Sequence, residues 1–162
     1  MKKIVIIGSG FSSLSAACYL AKKGHQVQVL EKNDSLGGRA RQFKKDGFTF
    51  DMGPSWYWMP DVFESFFGDF GKQVSDYYTL NRLAPGYQVV FGKDDVFPVE
   101  DSIAKIAARF EEIEAGSGAK LTRFLEKARN NYDIAVKDLV YRPGVSPLEL
   151  VTPQTVKKVG LF

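Results

Sequence analysis

Four β-branched residues in a row, Ile4-Val5-Ile6-Ile7, set the first pattern in the chain. An unbroken apolar run of this kind predicts a strand covered on both faces in a parallel sheet. A glycine-containing turn, Gly8-Ser9-Gly10, follows at once. From Phe11 the apolar positions Leu14, Ala17, Cys18 and Ala21 recur at helical spacing until Gly24 supplies a stop. Gln26 to Leu30 then alternates as a second strand. The three pieces make a βαβ unit of about thirty residues whose crossover is right-handed.

Beyond it the pattern loosens. Asn33 to Gly38 is rich in turn residues, and Phe48-Thr49-Phe50 reads as a short strand ending at Asp51. Asp61 to Phe70 predicts a short helix carrying Val62, Phe63, Phe66 and Phe67. Between Tyr77 and Val99 short alternating stretches are broken by Pro85-Gly86 and Lys93-Asp94-Asp95, which predicts antiparallel strands of a different subdomain. Asp101 or Ser102 caps a helix with the inward face Ile103, Ile106, Ala107, Phe110 and Ile113, ending at a Gly116-Ser117-Gly118 linker. A further helix presents Leu121, Phe124, Leu125, Ala128 and Tyr132. The tail from Arg142 holds Pro143, Gly144, Pro147 and Pro153 and reaches Phe162 with no closing element, as an interrupted chain would.

Composition narrows the class. A chain of 162 residues suffices for one ordinary domain and is short for two. Its 22 Lys plus Arg against 19 Asp plus Glu leave a net charge of +3 with no long cationic run, so nucleic-acid binding is unsupported. The 13 Phe, 7 Tyr and 2 Trp point to a bulky core or to flat, apolar ligands. Cys18 is the single cysteine, expected as a buried structural thiol on the apolar face of its helix, and a reducing cytoplasm fits. His25 lies in the loop entering the second strand, at the opposite end from the glycine turn, which makes it a poor catalytic base. One Cys and one His assemble neither a metal site nor a nucleophilic triad, and no catalytic residue is assigned. The apolar run after Met1-Lys2-Lys3 stops at Gly8, too soon for a signal peptide, and no window suits a membrane span.

Chemistry concentrates in the turn. Gly8-Ser9-Gly10-Phe11-Ser12-Ser13 occupies the place of the dinucleotide fingerprint G-x-G-x-x-G/A, with Ser13 where the third glycine stands. Gly8 permits the tight turn and Gly10 lets a pyrophosphate approach the backbone. The helix N-terminus then offers unpaired N–H groups and a positive dipole end. Glu31 closes the second strand, twenty-three residues after Gly8, where a carboxylate accepts both hydroxyls of an adenosine ribose. The acid disfavours a 2′-phosphate, so FAD or NAD is expected rather than NADP.

The full ordered set resembles the flavin amine oxidase and phytoene desaturase superfamily: Gly8 to Ser13, Glu31 with Lys32 beside it, Gly37-Gly38-Arg39, and Phe50-Asp51-Met52-Gly53-Pro54-Ser55. In that superfamily the two-glycine loop passes close to the flavin's diphosphate and ribityl chain, and the arginine lies beside the cofactor. Two glycines do allow close backbone approach, and Arg39 can pair with phosphate. The resemblance narrows to bacterial carotenoid desaturases, especially phytoene desaturases, through Phe48 to Pro60. It continues through Asp61-Val62-Phe63-Glu64, Asp76-Tyr77-Tyr78 and Tyr141-Arg142-Pro143-Gly144, nearly the whole chain.

That resemblance implies an α/β, Rossmann-like FAD-binding domain of the two-dinucleotide-fold type over residues 1–78. The start of an inserted α+β substrate-binding domain is implied over residues 79–162. It also implies FAD as cofactor, a C40 polyene as substrate, and a chain that is the N-terminal part of a longer enzyme. Met52, Gly53, Pro54 and Ser55 become candidate neighbours of the isoalloxazine, while Asp51 serves equally well as a structural turn former. Trp56, Tyr57 and Trp58 are candidate substrate contacts, with core or interface packing as the plainer role. A hydrocarbon substrate further implies a cytoplasmic protein docked peripherally on a membrane. A carotenoid 3,4-desaturase, an isomerase or an amine oxidase would share the motifs up to Pro54. An NAD-dependent reductase would share only Gly8 to Glu31, and a non-catalytic nucleotide-binding remnant would bind without turnover.

Overall fold

The computed structural model describes residues 1–53, 56–137, 139–153 and 156, with the backbone alone for residue 150. The chain divides into two compact units, Met1–Thr79 and Leu80–Phe162.

In the first unit β1 (Lys3–Ile7) leads through the glycine turn into α1 (Phe11–Lys22) and returns as β2 (Gln26–Leu30). The two strands pair in parallel with Lys3 opposite Gln26 and Ile7 opposite Leu30. This is the Rossmann-like βαβ unit that the apolar run and the alternating run predict. Ile4, Ile6, Val27 and Val29 turn to the partly covered face, and Gly8 N–H donates to the Leu30 carbonyl at 2.7 Å to hold the turn.

Coverage on both faces is not observed. Val5, Ile7 and Leu30 point to the other face and are 56%, 86% and 47% exposed, because no described element lies over it. Cys18 departs from expectation for a similar reason. Ser13, Leu14, Ala17 and Leu20 mark the covered arc of α1, and the thiol sits just outside it, exposed.

A hairpin of β3 (Gln42–Lys45) and β4 (Phe48–Asp51) follows, with Phe43 stacked on Phe50 at 4.9 Å. Its turn, Asp46-Gly47, has both φ angles positive at 52° and 83°. That is the two-residue turn favoured by an Asp-Gly pair. α2 (Pro60–Asp69) then lays Phe63 against Phe11 and Phe66 against Tyr19, both edge to face, and joins α2 to α1. The Tyr19 hydroxyl donates to Asp69 Oδ2 at 2.5 Å, and Lys22 Nζ donates to the Asp69 carbonyl.

In the second unit β5 (Tyr87–Gly92) and β6 (Asp95–Val99) form an antiparallel hairpin. α3 (Ile103–Ile113) starts at Ser102, whose hydroxyl accepts from Lys105 N–H, so Ser102 and not Asp101 is the cap. The Gly-Ser-Gly linker is shorter than expected: α4 (Ser117–Lys137) begins inside it. Glu111 makes that possible by accepting from Gly116 N–H at 2.6 Å and Gly118 N–H at 3.0 Å. Those bonds hold its carboxyl below the ordinary range.

Among the described residues no apolar side chain is fully buried.

Candidate functional site

Ser9 is the centre of the site. It is 1% exposed, the most deeply buried side chain described. Its N–H and its hydroxyl both donate to Glu31 Oε2, at 2.8 and 2.6 Å. Its carbonyl accepts from Gly37 N–H at 3.0 Å. One residue therefore ties the glycine turn, the end of β2 and the two-glycine loop into a single constellation. The sequence places these three motifs in order but says nothing of Ser9 as their link.

Space and charge at this point suit a phosphate-bearing ligand. A Cβ built on Gly10 would meet nothing within 4 Å, so the position lies open. A Cβ on Gly38 would come within 3.1 Å of the Gly10 Cα, so the two loops meet at a distance only glycine tolerates comfortably. α1 begins at Gly10 with no side chain capping its first N–H groups and no acidic residue in its first turn. Open backbone donors at a helix start, beside space and with no acidic side chain in the first turn, fit an anion. The residues present therefore fit a dinucleotide.

Glu31 collects two more donors on its other oxygen. Asn33 N–H and Asn33 Nδ2 reach Oε1 at 3.0 and 2.7 Å. Together the bonds hold the carboxyl down at about 2, the Ser9 hydroxyl acting most strongly. Asn33 is a site residue that the motif reading missed. The available signal is its type: an asparagine just after a strand-end acid readily bonds back to it in a turn.

The remaining candidates divide. Gly53 is drawn against Arg39, since a Cβ there would overlap the Arg39 carbonyl, and Met52 N–H donates to the Arg41 carbonyl at 2.9 Å. Gly53 thus lies against Arg39 and Met52 against Arg41, just after the two-glycine loop. Pro54 and Ser55 lie outside the described residues. Ser12 and Ser13 stand in the first turn of α1, while Phe11 turns to Phe63. Lys32 and the Arg39 side chain are exposed. Tyr57 packs on Phe63 at 4.8 Å and shares a 2.5 Å hydroxyl contact with Tyr78, and partial burial together with that contact pushes its phenol above the ordinary range. It packs on neighbouring aromatics and is still partly exposed. Trp56 and Trp58 are 60% and 63% exposed.

The second unit contains an open trough of about 500 Å³ between the hairpin and the helices, lined by Val89, Phe91, Phe97, Phe110 and Leu121 among others. Glu114 and Ser117 are its few polar members. Among the described residues there is no group of His, Cys, Asp and Glu able to hold a metal ion, and no helix is long and apolar enough to cross a membrane.

The chain is similar to several known proteins. Residues 6–70 match the family described as NAD(P)-binding Rossmann-like domain. A carotenoid 3,4-desaturase of Haloarcula japonica is 48% identical over 139 residues, which is 86% of this chain and 28% of that protein. A 4,4'-diapophytoene desaturase (4,4'-diaponeurosporene-forming) of Staphylococcus haemolyticus is 39% identical over 153 residues, 94% of this chain and 30% of that one. The chain spans less than a third of the length of either relative. Among solved structures, an oxidoreductase from Methanosarcina mazei covers 81% of this chain and 31% of its own, at 20% identity and a TM-score of 0.48.

Proposed function

We propose, from the premise that this chain belongs to the carotenoid desaturase family, that it grips FAD for an enzyme that desaturates phytoene or a related C40 polyene. Residues 1–78 are then the front of the FAD-binding domain and residues 79–162 the beginning of the substrate-binding domain. The observation that carries this reading is the convergence of Glu31 and Gly37 on Ser9 in the Gly8–Gly10 turn, with Gly38 against Gly10 and open space at Gly10.

Each residue then has a task. Gly8 to Ser13 present the turn and the helix N-terminus to the pyrophosphate, and Glu31 with Lys32 faces the adenosine ribose. The ionised Glu31 repels a 2′-phosphate, which favours FAD over a phosphorylated dinucleotide. Gly37, Gly38 and Arg39 follow the diphosphate and ribityl chain, with Met52, Gly53, Pro54 and Ser55 toward the isoalloxazine. When bound, the flavin supplies the hydride-accepting chemistry, and the protein orients the substrate bond and excludes water. The apolar trough of the second unit supports a hydrocarbon ligand. The exposed Trp56 and Trp58 support peripheral docking on the cytoplasmic side of a membrane, from which an insoluble polyene is drawn. The 48% identity to a carotenoid 3,4-desaturase favours a second reading, in which the substrate is already a conjugated carotenoid.

The test is reconstitution of the enzyme with FAD and phytoene, with and without liposomes, following the growth of conjugated-polyene absorbance. Growth that depends on liposomes is expected. Oxidation of a water-soluble amine with no polyene product would overturn the substrate assignment and leave the FAD site standing.

A further inference from the structure

Four donors surround the Glu31 carboxylate, two on each oxygen, and an ionised carboxylate offers about four acceptor directions. Ribose hydroxyls can bond to it only by exchange with a donor already present. The backbone N–H groups of Ser9 and Asn33 are fixed by their turns, so only the two side-chain donors can yield. They are not equivalent. Ser9 is 1% exposed, and a retreating hydroxyl there would be left buried without an acceptor, which is costly. Asn33 is exposed, so its amide passes into water with its bonding satisfied.

We infer that Asn33 is a place-holder for a ribose hydroxyl: its side-chain amide caps Glu31 Oε1 and yields that position to the incoming nucleotide, while Ser9 keeps Oε2 fixed. The inference rests on the reading of Glu31 as the ribose carboxylate. Among the influences that lower the Glu31 carboxyl, the Ser9 hydroxyl is the strongest and the Asn33 amide the weakest, in line with which donor leaves. Both are positioning residues, with opposite effects on affinity. Removing the Ser9 hydroxyl frees the carboxylate to swing, whereas removing the Asn33 amide takes away a competitor.

Calorimetric titration of the protein with ADP and with 2′,3′-dideoxy-ADP separates these roles. Asn33→Ala is expected to tighten ADP by about fivefold, the worth of one net hydrogen bond, and Ser9→Ala to weaken it by a similar factor. Asn33→Ala should leave the affinity for the dideoxy ligand unaltered. Asn33→Gly, which keeps a turn-forming residue, should match Asn33→Ala and guards against a folding artefact. Unchanged or weaker ADP binding in both Asn33 variants, or an equal gain with the dideoxy ligand, overturns the inference while the ribose site stands. Equal affinity of the unaltered protein for the two ligands removes Glu31 from the ribose and overturns both.

Discussion

Glu31 and Glu111 use their carboxylates alike. Glu31 reaches back from the end of β2 to Ser9 N–H in the turn before α1, and Glu111 reaches forward from α3 to Gly116 and Gly118 N–H at the start of α4. Both are held below the ordinary carboxylate range, Glu31 chiefly by the Ser9 hydroxyl and Glu111 chiefly by the Gly116 N–H. The difference is space. A Cβ on Gly10, beside the Glu31 clamp, would meet nothing within 4 Å, whereas one on Gly118 would lie 2.6 Å from the Ala107 carbonyl. One clamp leaves room for a ligand; the other closes an elbow between two helices. Gly116 is open as well, so what closes the second clamp is the contact of Gly118 with the Ala107 carbonyl of α3.

Substitutions at the two glycines test this most severely. Gly10→Val is expected to leave the thermal midpoint nearly unchanged and to lower FAD affinity on the order of a hundredfold, because the branched side chain takes the pyrophosphate's space. Full flavin occupancy in that variant would erase the distinction. Gly118→Ala is expected to do the reverse, destabilising the protein by about 3 kcal/mol in urea unfolding, because the obstructing atom is backbone and cannot rotate away.

Next in size is Glu31→Gln, expected to weaken FAD by about tenfold through loss of a charged acceptor. It should also flatten the acid limb of the stability curve. The Glu31 carboxyl falls from its ordinary 4.5 to about 2 in the folded chain. Its contribution is thus fully present above pH 4.5, fades as pH drops through about 2, and is gone below that, once folded and unfolded forms are both protonated. A Glu31→Gln protein with the unaltered slope across that window would show the clamp to be weaker than its geometry. The smallest effect is expected for Lys120→Ala. Lys120 pairs with Glu114 at 3.0 Å on the surface and only lightly assists Glu111, so its loss should cost less than about 0.5 kcal/mol in the same unfolding assay.

Periodicity made the βαβ unit legible because it is local: Ile4 to Ile7, the helical spacing from Leu14 and the alternation from Gln26 each encode an element without reference to distant residues. Gly8, Gly10 and Glu31 were readable because their spacing is tied to that same unit. Asn33 was not, since its part depends on which way the Glu31 carboxylate turns. The β3 strand carries Lys44 and Lys45 and little apolar alternation, so its only local signal is the Asp46-Gly47 turn. Cys18 was misread because spacing specifies the apolar stripe of a helix and not how wide an arc its neighbours cover. Coverage of Ile4 to Ile7 on both faces failed similarly: a run of β-branched residues records the burial a strand is built for, and the described residues supply one layer.

That bare face has a thermal consequence. Val5, Ile7 and Leu30 stay in water when β1 and β2 pair, so pairing the strands removes little apolar area from solvent there. The increase in heat capacity on unfolding scales with apolar area newly wetted, about 2 kcal/mol/K for an ordinary domain of this length. Scanning calorimetry of this chain should therefore record a smaller baseline step and a broader endotherm, the signature of a sheet whose second side is still hydrated before it melts.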